Sequence, residues 1–569
     1  MKRILMATLI VVALCLIGFA TYQAAIPAPD DRLLAGLMPE GALVYLEAKD
    51  LSGLLGEWNA SPEKSAWVKS DNFEVLSRSR LLLRLEQAQS QFAAAAGVPP
   101  NYKFLSEVAG KQTALGIYNI GKLELLYVTR LPSSSGMKSA LWQQRSKFEP
   151  RQSAGKQFFV RTEPESGRVV AFAIDGDYLV LATREDLVAG ALMLLAGQNL
   201  TTLDQQSWYT DAVKTAKETG DLRVVVHLSD VTKTPQFRSY WVQQNISELR
   251  QYESSISDLY RTGAEYREER ALLLKPETAP VNAEGTVAAG ELARIVPSDA
   301  GMFRSTANPS MDDVLAALEQ KVLTPRLGPA PPQKVAPTVT LGEGTVGSAS
   351  SLETRIDVAP SQESSQGRGD EALKAMLTTA HVRAVMQAHR SEVAPDGVFV
   401  RLHSVVALSA AEDWNETMVL KTIQQTIAPG MTAGSLGAGW RKSESGFAEL
   451  DGLTPVVIAV RGKTLVAGTD AAMVKAVLAK LAQKGKSEPA TYVAGFRHDG
   501  ERENFYKITS LLDRASRNNY TGQSNNQPEF FSQNIASLSR VWSGVKSETI
   551  TMRRSGTTDL QTVRYEWTR

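Results

Sequence analysis

Cysteine is almost missing: the only one is Cys15. It lies in an N-terminal apolar run, so the rest of the chain can form no disulfide and must rely on its core. An excess of either charge is missing too. Lys+Arg 62 against Asp+Glu 61 leaves a net charge of +1, with no long basic block. That excludes the electrostatic footprint of a nucleic-acid binder. Beyond residues 4–20, no segment is apolar and long enough to span a bilayer. Histidine is sparse, with five residues: His227, His381, His389, His403 and His498. None stands in the His-Glu-x-x-His spacing of a zinc hydrolase. His381 and His389 are expected two turns apart on one helix, too far for a shared ion.

Other chemical signatures are missing as well. There is no Gly-x-Ser-x-Gly elbow. Ser-x-x-Lys occurs at Ser61/Lys64, Ser135/Lys138 and Ser543/Lys546, but no Lys-Thr-Gly partner follows. Ser61-Pro62-Glu63 reads instead as a helix start with proline at its first position. Gly342-Glu-Gly344-Thr-Val-Gly347 has the dinucleotide spacing but sits in a Pro/Gly/Ser-rich stretch. The motif has meaning only between a strand and a helix. Trp58, Trp67, Trp142, Trp414 and Trp440 could line a groove, although packing in a core is the commoner use. No catalytic, cofactor-binding or metal residue is assigned, and no cofactor is expected.

What is present is a repeat. Val170–Gly197 aligns without a gap on Val456–Gln483, with ten of 28 positions identical. Unrelated segments share roughly two. The unit reads as strand, tight turn, strand, helix. Asp175-Gly176 is a hairpin signal that accepts positive φ. Thr183 is expected as the helix N-cap, with Asp186 three residues on. Leu187, Val188, Ala191, Leu192 and Leu195 form one apolar helix face. Asp175 and Asp177 suggest a cation loop, but Arg461 and Lys463 replace them in the second unit. Reversed charges around a retained glycine point to a turn.

Lys2 and Arg3 precede Ile4–Ala20, a run of 17 uncharged residues. It reads as a secretory signal, with Gly18 and Ala20 before a cleavage point, or as an uncleaved anchor with the bulk outside. Residues 21–36 follow as a tether. Residues 37–290 form a first α+β half, and 291–323 open a second. Residues 324–370 are a low-complexity insertion, and 371–569 complete the second half. Phe237–Leu274 is expected as one long amphipathic helix, with Val242, Ile246, Leu249, Ile256, Leu259 and Tyr266 near one stripe. Glu371–Ala388 and Phe530–Trp542 are also expected as helices. Leu292–Ala300, with Pro297, echoes Ala35–Ala42, with Pro39.

Leu37-Met-Pro39-Glu-Gly-Ala-Leu-Val-Tyr45, then Asp50-Leu-Ser-Gly-Leu-Leu-Gly-Glu-Trp58-Asn-Ala-Ser61-Pro62, resembles the opening of a bacterial envelope family known as domain of unknown function 3352. The hairpin Ala171–Ala182 and its helix are similar to it as well. The resemblance covers most of Leu37–Leu274 and, more weakly, Leu292–Trp567. It implies an envelope location and supplies no activity or site residue.

The expected fold class is α+β: two related halves, each a mostly antiparallel sheet with packed helices, after one N-terminal apolar helix. The expected role is a non-catalytic binding or scaffold component of the cell envelope. It would be held at the inner membrane through residues 4–20 or released into the periplasm, with envelope proteins or a second copy as partners and no nucleic acid. The alternatives are a cell-wall or peptide hydrolase using carboxylates distant in sequence, and a homo-oligomeric structural element built on the Phe237–Leu274 helix.

Overall fold

Short runs rich in valine, leucine and aromatics, bounded by turn residues, become strands here. The computed structural model describes residues 33–70, 73–74, 77–240, 249–276, 283–323, 371–393, 400–431, 440–443, 446–450, 455–504, 507 and 544–567. The expected anchor, the insertion 324–370, Gly342–Gly347, Ser543 and the helix expected over Phe530–Trp542 lie outside them. Among the described residues, no helix is long and apolar enough to cross a membrane.

The fold is α+β with an antiparallel sheet. Its first ten strands are β1 Val44–Ala48, β2 Thr113–Asn119, β3 Glu124–Arg130, β4 Glu149–Ser153, β5 Lys156–Thr162, β6 Val169–Asp175, β7 Tyr178–Ala182, β8 Leu222–Val226, β9 Tyr252–Arg261 and β10 Glu265–Leu274. They pair in the order β4-β5-β6-β7-β3-β2-β1-β8-β9-β10. The next ten are β11 Met302–Ala307, β12 Val382–Val393, β13 Val400–Ala410, β14 Arg441–Lys442, β15 Ala448–Leu450, β16 Val456–Arg461, β17 Thr464–Gly468, β18 Tyr492–Arg497, β19 Val545–Ser555 and β20 Thr558–Trp567. Their order is the same, β14-β15-β16-β17-β13-β12-β11-β18-β19-β20. β10 pairs with β20, so the twenty strands among the described residues make one sheet.

The two sets also agree in register. In β6–β7, Ala171 faces Ala182 and Asp175 faces Tyr178. In β16–β17, Val457 faces Gly468 and Arg461 faces Thr464, each 286 residues further on. Both hairpins turn through a glycine with positive φ, 55° at Gly176 and 53° at Gly462. A side chain at Gly176 would meet nothing within 4 Å, so backbone conformation alone calls for glycine there. Even a bulge repeats. Leu273 faces Ser254 but Leu274 faces Tyr252; Glu566 faces Ser547 but Trp567 faces Val545. A matched bulge is a feature of the design and not a defect.

At the β10–β20 junction the pairing is reciprocal. Glu269 and Thr562 hold equivalent places and face each other. On either side, Glu268 faces Val563 and Arg270 faces Gln561, which are each other's counterparts. The junction therefore has an internal pseudo-two-fold axis, the geometry of an isologous dimer within one chain.

Helices cover both faces. On one face, Leu187, Val188 and Leu192 of Glu185–Leu195 pack with Trp208 and Tyr209 of Ser207–Thr215 over Ala171, Ala173 and Val180. The second set places Met473, Val474 and Val477 over Val457, Ala459 and Val466, joined by the helix Ala283–Arg294. On the other face, Phe104 and Val108 meet Phe172, Leu179 and Leu181. There Val419 and Ile423 join Ile458, Leu465 and Ala467. Each such buried Leu, Val or Phe contributes roughly 1.5–3 kcal/mol. Leu34 and Ala35 are fully buried, so the packed fold begins inside the expected tether.

Three expectations change. Phe237–Leu274 is not one helix: Pro235–Tyr240 is helical, and β9 and β10 form a hairpin. The helical stripe was a coincidence of spacing. The operative pattern has period two, burying Tyr252, Ser254, Ile256 and Asp258. Glu371–Ala388 splits into a helix to Ala380 and the start of β12. His381 sits at the break with φ 49°, so His381 and His389 share no helix. Thr183 is not an N-cap. Its hydroxyl accepts from Leu125 N at 2.9 Å and donates to Leu123 O at 3.2 Å, stitching β7 to β3. Thr469 accepts from Ser404 N at 3.0 Å in the same way.

A buried ion pair ties the junction. Asp559, 4% exposed, accepts two bonds from Arg554 at 2.6 Å each and one from Tyr252 of β9 at 2.8 Å. Asp559→Ala strands both donors and should lower unfolding stability by about 3 kcal/mol. Urea denaturation checks this; a loss below about 0.5 kcal/mol, the scale of an ordinary surface change, contradicts it.

Candidate functional site

Among the described residues lies a groove of about 970 Å³. One wall is the helix Arg80–Ala96, which starts on the Ser79 side chain and ends at Gly97 in the left-handed region. The other is the turn joining β2 to β3, with Ser166–Val169, Thr183–Arg184 and Thr234–Gln236. Four cationic side chains line it, Arg84, Lys122, Arg168 and Arg184, against the single carboxylate of Glu124. Leu85, Ile120 and Tyr118 add apolar surface.

Two of the arginines are held in place. Arg168 donates to Lys122 O at 2.9 Å and to Gln91 Oε1 at 3.1 Å. Burial lowers its pKa from the usual arginine value, with Glu124 acting the other way. Arg184 pairs with Glu124 at 3.2 Å and with Asp186. In the second set Asp470 stands where Arg184 does and His403 where Glu124 does; Nδ1 of His403 lies 3.9 Å from Asp470, whose closer partner is Arg390 at 2.9 Å. Glu124 and Asp186 balance Arg184. Arg84, Lys122 and Arg168 are then the groove's distinguishing charges. They come from three separate segments with no spacing pattern, so linear reading missed them.

Two polar clusters invite a catalytic reading. Ser229 Oγ lies 3.0 Å from His227 Nε2, and His227 Nδ1 lies 3.1 Å from Asp230. Yet Glu253 Oε1 takes Ser229 at 3.0 Å and faces Nε2 at 3.2 Å. The ring is stacked on Trp208 at 4.8 Å, and Ser229 is 7% exposed. A nucleophile needs an open approach and a base free to accept its proton; here a second carboxylate takes that bond. The other cluster is Asp258 and Glu269, which face each other on β9 and β10 beside a cavity of about 100 Å³. Asp258 is closed by two bonds from Arg223, at 2.8 and 2.9 Å, and one from Gly220 N at 2.8 Å. The space holds a few waters and no sugar ring.

Of the other residues weighed above, Ser61 caps its helix by accepting from Lys64 N at 3.1 Å, and Asp175 pairs with Lys156. Trp142 packs edge-on against Phe159 and Trp414 is buried, whereas Trp58 is 51% exposed. Among the described residues, no group of three His, Cys, Asp or Glu could hold a metal.

His389 of β12 is 5% exposed, and its Nδ1 lies 2.9 Å from Ser404 Oγ. Burial, with smaller contributions from Lys321 and Arg304, pushes its pKa down to about 4. The folded protein thus resists a proton that the unfolded chain accepts below about pH 6.5. Stability from this residue is complete at neutral pH and falls as pH drops from about 6.5 to about 4, by roughly 3 kcal/mol in all. Ile117 holds the equivalent place in the first set, so His389→Ile should fold. Its urea midpoint should fall less than the parent's between pH 7 and pH 4.5; equal falls contradict the assignment.

The chain matches no family model and no curated protein. A solved structure described as crystal form I of TP0453 is similar over 45% of this chain and 83% of its own, with 14% identity and a TM-score of 0.25. A likeness at that level carries no argument.

Proposed function

We propose that this chain is an exported envelope protein that binds other envelope components without catalysis. In this reading Ile4–Ala20 holds it at the inner membrane or is cleaved to release it into the periplasm. The resemblance of Leu37–Leu274 to the envelope family agrees with that location. The observation that carries the binding role is the groove between Arg80–Ala96 and the β2–β3 turn. The guanidinium groups of Arg168 and Arg184 are fixed by bonds to the protein, so they can receive a partner's acidic groups with little further ordering. Leu83 and Leu85, on the same helix, are 53% and 42% exposed. Apolar surface next to fixed cations suits a protein partner presenting a mixed acidic and apolar segment. Among the described residues the hydrolase alternative has the closed Asp258–Glu269 pair in its favour. The oligomer alternative loses its basis, because its helix is a hairpin.

A photo-crosslinking side chain at Gln87, in the groove wall, should yield a defined envelope-protein adduct in intact cells. The same probe at exposed Val287 should not, and Lys122→Glu should reduce the Gln87 adduct. Recovery of the protein alone from both positions contradicts the proposal. Alkali extraction should leave the protein in the membrane pellet if the anchor is retained and in the periplasmic fraction if it is cleaved; a cytosolic location contradicts export.

A further inference from the structure

A second concavity lies in the second set of strands, sharing no lining residue with the groove. It measures about 440 Å³. Its floor is a platform across β12, β11, β18 and β19. One row runs His389, Met302, Phe496, Glu548, and the next runs Gln387, Arg304, Ala494, Ile550. Phe303, Gly495, Tyr492 and Lys321 also line it.

The first set provides a control for this platform. The same rows there read Ile117, Val44, Val226, Ser255 and Leu115, Leu46, Val224, Ser257. Six of these eight are aliphatic, so the fold needs no polar residue at those places. Burial makes the contrast stronger. Gln387 and His389 are 3% and 5% exposed, whereas Leu115 and Ile117 are half-buried. The polar side chains occupy the more enclosed version of the platform, the reverse of what burial alone favours. Ala494 in place of Val224 also opens room above the floor.

The charges are unbalanced. Arg304 meets Gln387 Oε1 at 3.2 Å, and among the described residues neither Arg304 nor Lys321 pairs with a carboxylate. Glu548 lies 3.8 Å from His498. His389 has Nδ1 engaged with Ser404 and stays neutral at pH 7, which leaves Nε2 for a ligand. Two cations and a neutral imidazole line one part of the space, and Met302, Phe496 and Ile550 form its apolar floor. A volume of this size suits a small organic molecule.

We propose that this cavity binds a small organic oxyanion with a compact apolar body, its carboxylate or phosphate group on Arg304 and Lys321 and its apolar part on Met302, Phe496 and Ile550. Calorimetric titration of the full chain with octanoate, octyl phosphate, octanol and inorganic phosphate tests it. One of the two octyl anions should saturate at one per chain, and the tighter identifies the head group. Octanol and inorganic phosphate should bind at least about tenfold more weakly. Arg304→Leu installs the first set's own residue. It should melt cooperatively and bind the anion at least about tenfold more weakly. Lys122→Ala, in the groove, should bind it unchanged, so failure here and failure of the groove are separable. Absence of saturable binding by both octyl anions overturns the proposal. So does octanol binding equally well, or an unweakened Arg304→Leu.

Discussion

The reciprocal pairing of β10 with β20 is the constraint on which the rest depends. Each of these strands would otherwise present unpaired backbone groups at a sheet edge. Their mutual pairing satisfies both edges and makes one sheet from two sets of ten strands. The pseudo-two-fold relation fixes what lies opposite what, because a slip would break the correspondence that runs through every pairing on both sides. The Tyr252–Asp559–Arg554 cluster locks this register with polar bonds that cross from β9 to β20.

A chain that uses one strand order twice separates structural needs from other needs. Places filled alike in both sets serve the fold: the glycine of the tight turn, the threonine that stitches the hairpin to its neighbour, the aliphatic helix face. Places filled differently are free to serve something else. Glu47, Arg223 and Asp258 form a buried charge line across three strands of the first set; Ser305, Val493 and Thr551 stand there in the second. The platform around His389 differs in the opposite sense, with charged, amide and imidazole side chains in the second set where the first is mostly aliphatic. Such asymmetry is where the two sets have acquired separate chemistry.

The repeated hairpin and helix were legible from the sequence because their signals are local: an Asp-Gly turn, alternating apolar residues, a helix face of period 3.6. The β9–β10 hairpin was not, because Val242, Ile246, Leu249, Ile256 and Leu259 also fit a helical stripe. Thr262-Gly263-Ala264 was the missed turn between two alternating runs. The helix over Glu371–Ala388 failed because nothing in its composition marks the break at His381, where a non-glycine residue adopts positive φ. Neither site was legible. The groove gathers Arg84, Lys122 and Arg168 from separate segments, and the His389 platform gathers four strands far apart in sequence. Only the pairing order brings them together.

The register at β10–β20 is the most direct test of this account. Apart from Cys15 the chain has no cysteine, so paired cysteines can be introduced in a Cys15→Ala background and joined with a short thiol crosslinker. Glu269→Cys with Thr562→Cys should crosslink within one chain rapidly and almost completely. Glu269→Cys with Leu560→Cys or Arg564→Cys, two residues out of register on the same face, should react slowly. Preferred crosslinking of a shifted pair, or none at Glu269/Thr562, would contradict the reciprocal junction.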